Sequence, residues 1–333
     1  MFLTALAAWT LLALPALAAQ TQVLIVAGVG GAPEYEQAFH DEAMRMADAV
    51  RAAGGLPDSA IIVLTERPER SPQRIAGRST KLEIEQALGR IAKSARPGDA
   101  VFVLLIGHGS TRGGHSLFNI PGPDMSAADF AKALKPLSAQ RVAVINAASA
   151  SAEFIPALSG RDRAIVTATS SVMERNATHF ARHFIAAYSG TGADSDKDGR
   201  ISLLEAYTYA RSEVAREYEA TNQLQSEHAL LDDDGDGKGT AEPGVGSGDG
   251  AFSARLFLRD RAAAATVAER AKSSDPRVAE LQHHKDSLGA RIDALRRRKA
   301  DMDSTAYEGA LEKLLLDLAT TNQKIEQLTG GTP

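Results

Sequence analysis

Ala100-Val-Phe-Val-Leu-Leu-Ile106 is a continuous apolar run that passes directly into Gly107-His108-Gly109-Ser110. A run of this kind predicts a β-strand that is buried on both faces, as in a parallel sheet. A histidine between two glycines at the carboxyl end of such a strand is open to a substrate backbone, as a catalytic base would be. The stretch therefore predicts an α/β sheet with a candidate functional residue, His108, at its carboxyl edge.

On either side of this run, the chain alternates strand-like apolar segments with helical patterns. The capping box Thr80-x-x-Glu83 and the similar pattern Ser126-x-x-Asp129 predict the starts of two helices. Alternating β and α elements predict a mostly parallel sheet with helices on both faces, and functional groups at the carboxyl ends of its strands. The predicted strands are Val23–Ala27, Ala60–Leu64, Ala100–Ile106, Arg141–Ile145 and Ala164–Ala168, and the predicted helices are Glu34–Ala53, Lys81–Ser94 and Ala127–Leu134.

A second functional pattern follows the strand predicted at Arg141–Ile145, where the chain reads Asn146-Ala147-Ala148-Ser149-Ala150-Ser151. Together with His108-Gly109, this resembles the legumain family of cysteine peptidases, within the wider caspase-like fold. In that family one strand ends in His-Gly, and the next ends in Ala-Cys followed by small and polar residues. Ala164–Glu174, with Val-Thr-Ala-Thr-Ser-Ser after a strand, belongs to the same resemblance, which spans about residues 22–230. The resemblance implies a caspase-like three-layer sandwich.

Ala148 occupies the position at which the resemblance implies the nucleophilic cysteine, and the sequence contains no cysteine. Alanine cannot attack a scissile carbonyl as a thiolate does. One hypothesis is a pseudopeptidase that retains His108 and binds a protein or peptide. The alternative is a serine-type hydrolase in which His108 activates Ser149 or Ser151. The first is favoured because Ser149 is displaced by one residue, and reacting groups tolerate little displacement; an N-cap of the next helix is the expected role of both serines.

Residues 194–205, Asp194-Ser-Asp-Lys-Asp-Gly-Arg-Ile-Ser-Leu-Leu-Glu205, match every position of an EF-hand calcium loop. Alternate carboxylates converge on one cation, a glycine allows the sharp turn, and a final glutamate binds bidentately. Helices predicted at 178–189 and 203–219 flank the loop. The sequence therefore predicts a Ca²⁺ site. Its predicted ligands, at loop positions 1, 3, 5, 7, 9 and 12, are Asp194, Asp196, Asp198, Arg200 (backbone carbonyl), Ser202 and Glu205.

A related stretch, Asp232-Asp-Asp-Gly-Asp-Gly-Lys-Gly239, alternates carboxylates in the same way. Its position 12 is Pro243, and Glu242 falls one residue short. The stretch is either a degenerate second calcium site or a Gly-rich acidic turn, and the turn is favoured. Residues 230–250 as a whole are predicted to form a loop.

The first 18 residues match a signal peptide, because the apolar run Phe2–Leu14 is followed by Pro15 and Ala16-Leu17-Ala18. Export to the periplasm or the cell exterior is therefore expected, without a membrane anchor. Residues 19–260 are expected to form the caspase-like domain with the calcium loop inserted. Heptad patterns within residues 261–333 predict a C-terminal helical hairpin or coiled coil, which could pack on its own domain, form a homo-oligomer or hold a partner. In a further hypothesis, the hairpin is the working part and the α/β domain its platform.

Three other functions are disfavoured by the sequence. Its net charge of −5, with opposite charges interspersed, gives no indication of nucleic-acid binding. Gly28-Val-Gly30-Gly31 invites comparison with dinucleotide-binding loops, but the spacing fails at Pro33. His179 and His183 are four residues apart, which suits zinc, but a surface pair is favoured because no third ligand is evident.

Overall fold

The structure is a computed structural model that describes residues 20–54, 56–190, 192–246, 248–258 and 303–329, with scattered residues between 277 and 295. The predicted signal peptide, the boundary at residue 260 and most of the first helix of the predicted hairpin lie outside the described residues.

A mainly parallel sheet forms the centre of the fold, as the sequence predicted; it has seven described strands, two more than the sequence predicted. The described strands are, in chain order, β1 (Thr21–Ala27), β2 (Ile61–Thr65), β3 (Gly77–Arg78), β4 (Ala100–Ile106), β5 (Gly109–Arg112), β6 (His115–Phe118), β7 (Met125–Ser126), β8 (Arg141–Asn146), β9 (Arg163–Thr167) and β10 (Leu230–Asp232). The large sheet has the order β10-β9-β8-β4-β1-β2-β3. Its described pairings are parallel, except that β10 is antiparallel to β9. The carboxyl ends of β4 and β8 are therefore adjacent at one edge.

Helices cover both faces of this sheet. They are α1 (Pro33–Gly54), α2 (Lys81–Ser94), α3 (Ala127–Leu134), α4 (Phe154–Leu158), α5 (Phe180–Ala187), α6 (Leu203–Ala220) and, near the C-terminus, α7 (Ser304–Thr329). Successive side chains of a strand point to opposite faces. In β1, Val23 and Ile25 accordingly pack with residues of α1, α5 and α6, whereas Leu24 and Val26 pack with residues of α2, α3 and α4. The molecule thus has the helix–sheet–helix layers that the sequence predicted.

A small antiparallel sheet, β5-β6-β7, begins directly after His108 and was not predicted. Arg112 pairs with His115 across a two-residue turn. The turn residues, Gly113 and Gly114, have φ of +60° and +86°. Two central residues with positive φ give the turn type that matches the twist of a tight hairpin. Gly-Gly was therefore the signal that could have revealed this hairpin in the sequence.

The prediction of a loop over residues 230–250 was wrong at its beginning. Leu231, which is fully buried, pairs with Val166 in the last strand of the sheet, β10. Leu231 and Thr240 exchange two backbone hydrogen bonds, of 3.0 and 2.9 Å, so the residues between them close a hairpin. Burial of a short apolar run at the sheet edge outweighed the acidic, Gly-rich composition that follows it.

Helix α7 falls within the predicted C-terminal hairpin. Leu314 and Leu318 of α7 form a small buried cluster with Leu288 and Ile292, which are among the scattered described residues. The hairpin as a whole stays a prediction. Among the described residues, no helix is both long enough and apolar enough to cross a membrane.

Candidate functional site

His108 lies just beyond the carboxyl end of β4, where the sequence placed it. Its ring makes edge-on contacts with Tyr35 and Phe39 of α1, with ring centroids 4.6 and 5.0 Å away. Burial lowers the pKa of His108, and a hydrogen bond with the backbone of Gly30 opposes that shift. A histidine with a pKa below its ordinary range is neutral near pH 7. His108 is therefore a half-buried, neutral imidazole that is held against helix α1.

Ala148 follows β8 and has no solvent exposure. Its methyl group belongs to the apolar cluster beneath α2, α3 and α4. The face that contains α1, against which His108 packs, is the opposite one. The backbone N–H of Ala148 donates to Oδ1 of Asn146 at 3.1 Å. Position 148, at which the resemblance implies a nucleophile, is thus a core position rather than the wall of an open cleft.

Ser149 is 2 % exposed and connects the end of β8 to the residue after His108. Its Oγ accepts from the backbone N–H of Gly109 at 3.1 Å and donates to the carbonyl of Gly109 at 3.2 Å. A Cβ at Gly109 would lie 1.9 Å from the carbonyl oxygen of Ser149, so the close approach requires glycine. The Ser149 hydroxyl is therefore part of a rigid link between two strand ends.

Ser151 is 1 % exposed and is bonded to Thr169. Its backbone N–H donates to Thr169 Oγ1 at 2.7 Å, and the two hydroxyl oxygens are 3.0 Å apart. The Ser151 hydroxyl also accepts from the backbone N–H of Thr169 at 3.3 Å. The expectation that Ser149 or Ser151 caps the next helix was wrong, because Glu153 is the N-cap of α4 and makes no side-chain cap bond. Both serines instead connect loops at the strand ends.

The predicted calcium loop brings three carboxylates together. One oxygen from each of Asp194, Asp196 and Asp198 lies within 4.8 Å of the others. Backbone N–H groups hold these side chains: that of Asp198 donates to Oδ1 of Asp194 and of Asp196, at 3.1 Å each. Gly199, at the position of the sharp turn, has a φ of +80°. The loop thus places its first three predicted ligands around one point.

Of the other three predicted ligands, Ser202 and Glu205 are bonded to each other, and Arg200, whose backbone carbonyl is the predicted ligand, bonds to Asp198 through its side chain. Glu205 is 9 % exposed, and its Oε2 accepts from the backbone N–H and hydroxyl of Ser202 in a capping box that starts α6. Its Oε1 accepts from the backbone N–H of Ser195 at 2.9 Å. The Arg200 guanidinium contacts Asp198 Oδ2 at 2.5 Å and stacks on the Phe257 ring at 4.0 Å. Arg200 therefore contributes a counter-charge to the carboxylate group, while Glu205 faces the helix start.

Burial and neighbouring charge both act on Asp194. Desolvation raises the pKa of Asp194, and the nearby carboxylates of Glu205 and Asp198 raise it further. Backbone donors from Gly199 and Asp198 work in the opposite direction. The raised pKa of Asp194 therefore reflects burial first and the neighbouring carboxylates second.

A cavity of about 710 Å³ lies beside the predicted calcium loop. Its walls include Ser195 and Glu205 of the loop, Arg216 of α6 and Tyr307 of α7. In addition, Asn322 of α7 donates from Nδ2 to the carbonyl of Lys197 at 3.3 Å. Glu205 and helix α7 thus line the same cavity, and α7 also contacts the predicted calcium loop through Asn322.

His179 and His183, whose spacing suits zinc, both contact one carboxylate. His179 Nδ1 lies 2.9 Å from Oε1 of Glu217, and His183 Nε2 lies 2.8 Å from its Oε2. Arg182 also bonds to Glu217. Although desolvation acts to raise it, hydrogen bonds from His183, Arg182 and His179 lower the pKa of Glu217 to about 2. The cluster connects α5 to α6, the helices on either side of the predicted calcium loop.

No protein-family model matches this sequence, and no curated protein matches it. Among solved structures, the chain is similar to caspase-1 from Spodoptera frugiperda, with 11 % identity and a TM-score of 0.41 over 65 % of this chain and 86 % of that one. It is also similar to a protein of Geobacter sulfurreducens, with 11 % identity and a TM-score of 0.41 over 72 % and 98 % of the two chains. The mixed α/β architecture, with its mainly parallel sheet between helices, is consistent with the caspase-like fold that the sequence predicted.

Proposed function

We propose that the protein is an exported, calcium-binding pseudopeptidase of legumain-like type that binds a protein or peptide without cleaving it. The observation that carries this proposal is the complete burial of Ala148 at the position of the nucleophile, in a sequence without cysteine. Peptide cleavage of the legumain kind needs a thiolate within reach of the substrate carbonyl. A methyl group in the core offers neither the atom nor the access.

The serine-hydrolase alternative receives no support from the geometry. A serine nucleophile is activated by a base within hydrogen-bond reach. Ser149 Oγ is bonded to the backbone of Gly109, and Ser151 Oγ is bonded to Thr169. Both residues are at least nine-tenths buried. Using either as a nucleophile would break the links that hold the strand ends together.

Calcium binding is supported by the charge on the loop. Two carboxylates 4.8 Å apart repel by about 0.9 kcal/mol even at the dielectric constant of water, and the three aspartates form three such pairs. Arg200 compensates part of this charge through Asp198. A divalent cation with flexible oxygen coordination would compensate two of the three aspartate charges, and Ca²⁺ accepts six to eight oxygen ligands.

Full coordination requires two local rearrangements. Glu205 must leave its bonds with Ser195 to reach the aspartates, and the Arg200 guanidinium must release Asp198. Arg200 can then stay on the Phe257 ring. Because Ser195 and Glu205 form part of the cavity wall, we propose that calcium sets the shape of a binding site for a protein or peptide at this cavity.

Export is proposed from the signal-peptide pattern of residues 1–18. The C-terminal hairpin is proposed as a further contact region, for the same partner or for a second copy of this chain. Its helix α7 contributes Tyr307 to the cavity wall.

The calcium part of the proposal is tested by thermal unfolding of the protein without residues 1–18, in EDTA, calcium or magnesium. We expect calcium to raise the melting temperature and magnesium to raise it much less, because Mg²⁺ demands a stricter octahedral geometry. Glu205→Gln should respond far less to calcium, while Glu219→Gln, an exposed change on the same helix, should respond as the wild type does. An unchanged melting temperature at millimolar calcium would refute calcium binding.

A further inference from the structure

We propose that Asp232, Asp234 and Asp236 form a second calcium site, at the edge of the sheet. One carboxylate oxygen from each of the three lies within 4.8 Å of the others. The sequence alone favoured an acidic turn here, because the bidentate glutamate of a complete loop is missing. The structure adds an observation that a solvated turn does not explain.

That observation is the burial of Asp232, which is 1 % exposed. Its Oδ1 accepts from the backbone N–H of Gly235 at 3.2 Å. Its Oδ2 is buried and has no hydrogen-bond partner among the described residues. Burial raises the pKa of Asp232, and the nearby Ser159 hydroxyl opposes that shift, although in the described part of the chain Ser159 Oγ is not in hydrogen-bond geometry with any group. A buried, unpartnered carboxylate oxygen is costly unless a cation binds it.

The neighbouring carboxylates of Asp233 and Asp249, unlike Asp232 Oδ2, have hydrogen-bond partners. Asp233 accepts from the backbone N–H groups of Gly250 and Ser253, at 2.7 and 2.6 Å. Asp249 accepts from the backbone N–H groups of Asp233 and Asp234, at 2.8 and 3.3 Å. These two carboxylates therefore have structural roles that need no ion.

Among the described residues, basic side chains do not pair with the three aspartates. Within the described residues, no lysine, arginine or histidine forms an ion pair with Asp232, Asp234 or Asp236, whereas Arg200 does so in the first loop. The exposed Glu242, the nearest residue to the missing position 12, pairs with Arg211 at 3.0 Å. The carboxylate group at the sheet edge thus lacks the counter-charge that the first loop has.

The backbone around the site is fixed in place. Asp232 is the last residue of β10 and pairs with Ile165 of β9. Gly235 has a φ of +84°, and a Cβ there would lie 3.2 Å from the backbone of Gly160, so the loop rests against the chain that leads into β9. A bound ion would therefore tie the loop to the edge strand at a defined point.

The chemistry of the ligands selects the ion. Three carboxylates are hard oxygen donors, which suit Ca²⁺ or Mg²⁺ rather than a soft metal. We assign calcium because it tolerates irregular coordination that waters complete. Without a bidentate glutamate the site has fewer protein ligands than the 194–205 loop, so its affinity should be lower.

Calcium binding by the full chain without residues 1–18, measured by isothermal titration calorimetry, tests this proposal. We expect two ions for the wild type and one for the double variant Asp234→Asn/Asp236→Asn, which loses the weaker site. Both substituted residues are exposed, so the variant should fold, and circular dichroism in EDTA verifies this. Glu242→Gln, in the same segment but outside the carboxylate group, should keep both ions.

The two sites are distinguished by Glu205→Gln, which should lose the tighter ion and keep the weaker one. Hydrogen exchange locates the second ion independently, because calcium should slow exchange in peptides covering residues 230–241 of the wild type but not of the double variant. The proposal is overturned if the double variant binds as many ions as the wild type, or if the wild type binds only one ion and Glu205→Gln binds none. Equal affinity for magnesium would overturn the assignment to calcium.

Discussion

Asp196→Asn should make the protein more stable than the wild type without calcium and less stable than the wild type with calcium. The amide side chain introduced by this substitution keeps an Oδ1 that can accept from the Asp198 backbone N–H, as the carboxylate of Asp196 does at 3.1 Å, so the turn itself is preserved. The substitution removes a charge that lies within 4.8 Å of two other carboxylates. Its effect in EDTA is therefore the relief of repulsion, and its effect in calcium is the loss of a ligand.

The magnitudes follow from these distances. Two repulsive pairs of about 0.9 kcal/mol each, roughly halved by physiological salt, make the variant about 1 kcal/mol more stable in EDTA. For a domain of this size that corresponds to a melting temperature about 2–4 °C higher. At a calcium concentration 100 times the dissociation constant, the wild type gains about 2.7 kcal/mol, or about 5–11 °C. The variant should gain little, so that the order of the two melting temperatures reverses.

Differential scanning fluorimetry in EDTA and in calcium measures both effects, at low and high salt. The advantage of the variant in EDTA should shrink at high salt, because salt screens the repulsion between these partly exposed charges. Glu219→Gln, an exposed change on α6, should not reverse the order. The reasoning fails if Asp196→Asn is less stable than the wild type in EDTA and gains as much stability from calcium. That result would mean that the three carboxylates do not destabilise the calcium-free protein and that Asp196 does not bind the ion.

Three further predictions concern the core, the α5–α6 contact and the C-terminus. Ala148→Cys should resist thiol reagents in the folded protein and react in denaturant, since position 148 has no exposure. Met173→Cys, at a site 70 % exposed, should react at once in the folded protein. Rapid labelling at position 148 of the folded protein would contradict its burial. The pKa of Glu217 falls from 4.5 to about 2 on folding, so its contribution to stability is present above about pH 4.5 and lost as the pH falls toward 2. Glu217→Gln should flatten the dependence of melting temperature on pH in that window, and Glu219→Gln should not; unchanged dependence would mean that the histidine contacts do not hold in solution. Deletion of residues 275–333 should leave a folded, calcium-responsive domain by circular dichroism, and an insoluble or molten product would place the hairpin in the main core.

Much of the sheet followed from the sequence because buried parallel strands carry a local signal. The strand at Ala100–Ile106 has the predicted bounds, and the other predicted strands differ by one or two residues at their ends. The alternation of strands and helices then predicted that helices cover both faces of a mostly parallel sheet. His108 could be placed at a strand end for the same reason, since a strand of this kind ends where its apolar run ends.

The sequence did not reveal which residues contact one another at these strand ends. The bonds of Ser149 to Gly109, forty positions earlier, depend on two strands being adjacent, and no local pattern encodes them. The burial of Asp232 likewise arises from its pairing with β9 at the edge of the sheet. By composition, Asp232 was indistinguishable from the exposed aspartates that follow it. Tertiary pairing decided which acidic and hydroxyl groups are structural and which could bind a ligand.

Peptide cleavage is the most direct test of the central claim, that this chain binds peptides without hydrolysing them. The protein without residues 1–18 is incubated, with and without calcium, with a peptide mixture that carries Asn, Asp, Arg or Lys before potential scissile bonds. Mass spectrometry then measures both cleavage and retention on the immobilised protein. The account predicts calcium-dependent retention of intact peptides and no cleavage. Cleavage by the wild type that disappears in Ser149→Ala or Ser151→Ala, with the variant still folded, would contradict it and establish a serine hydrolase instead.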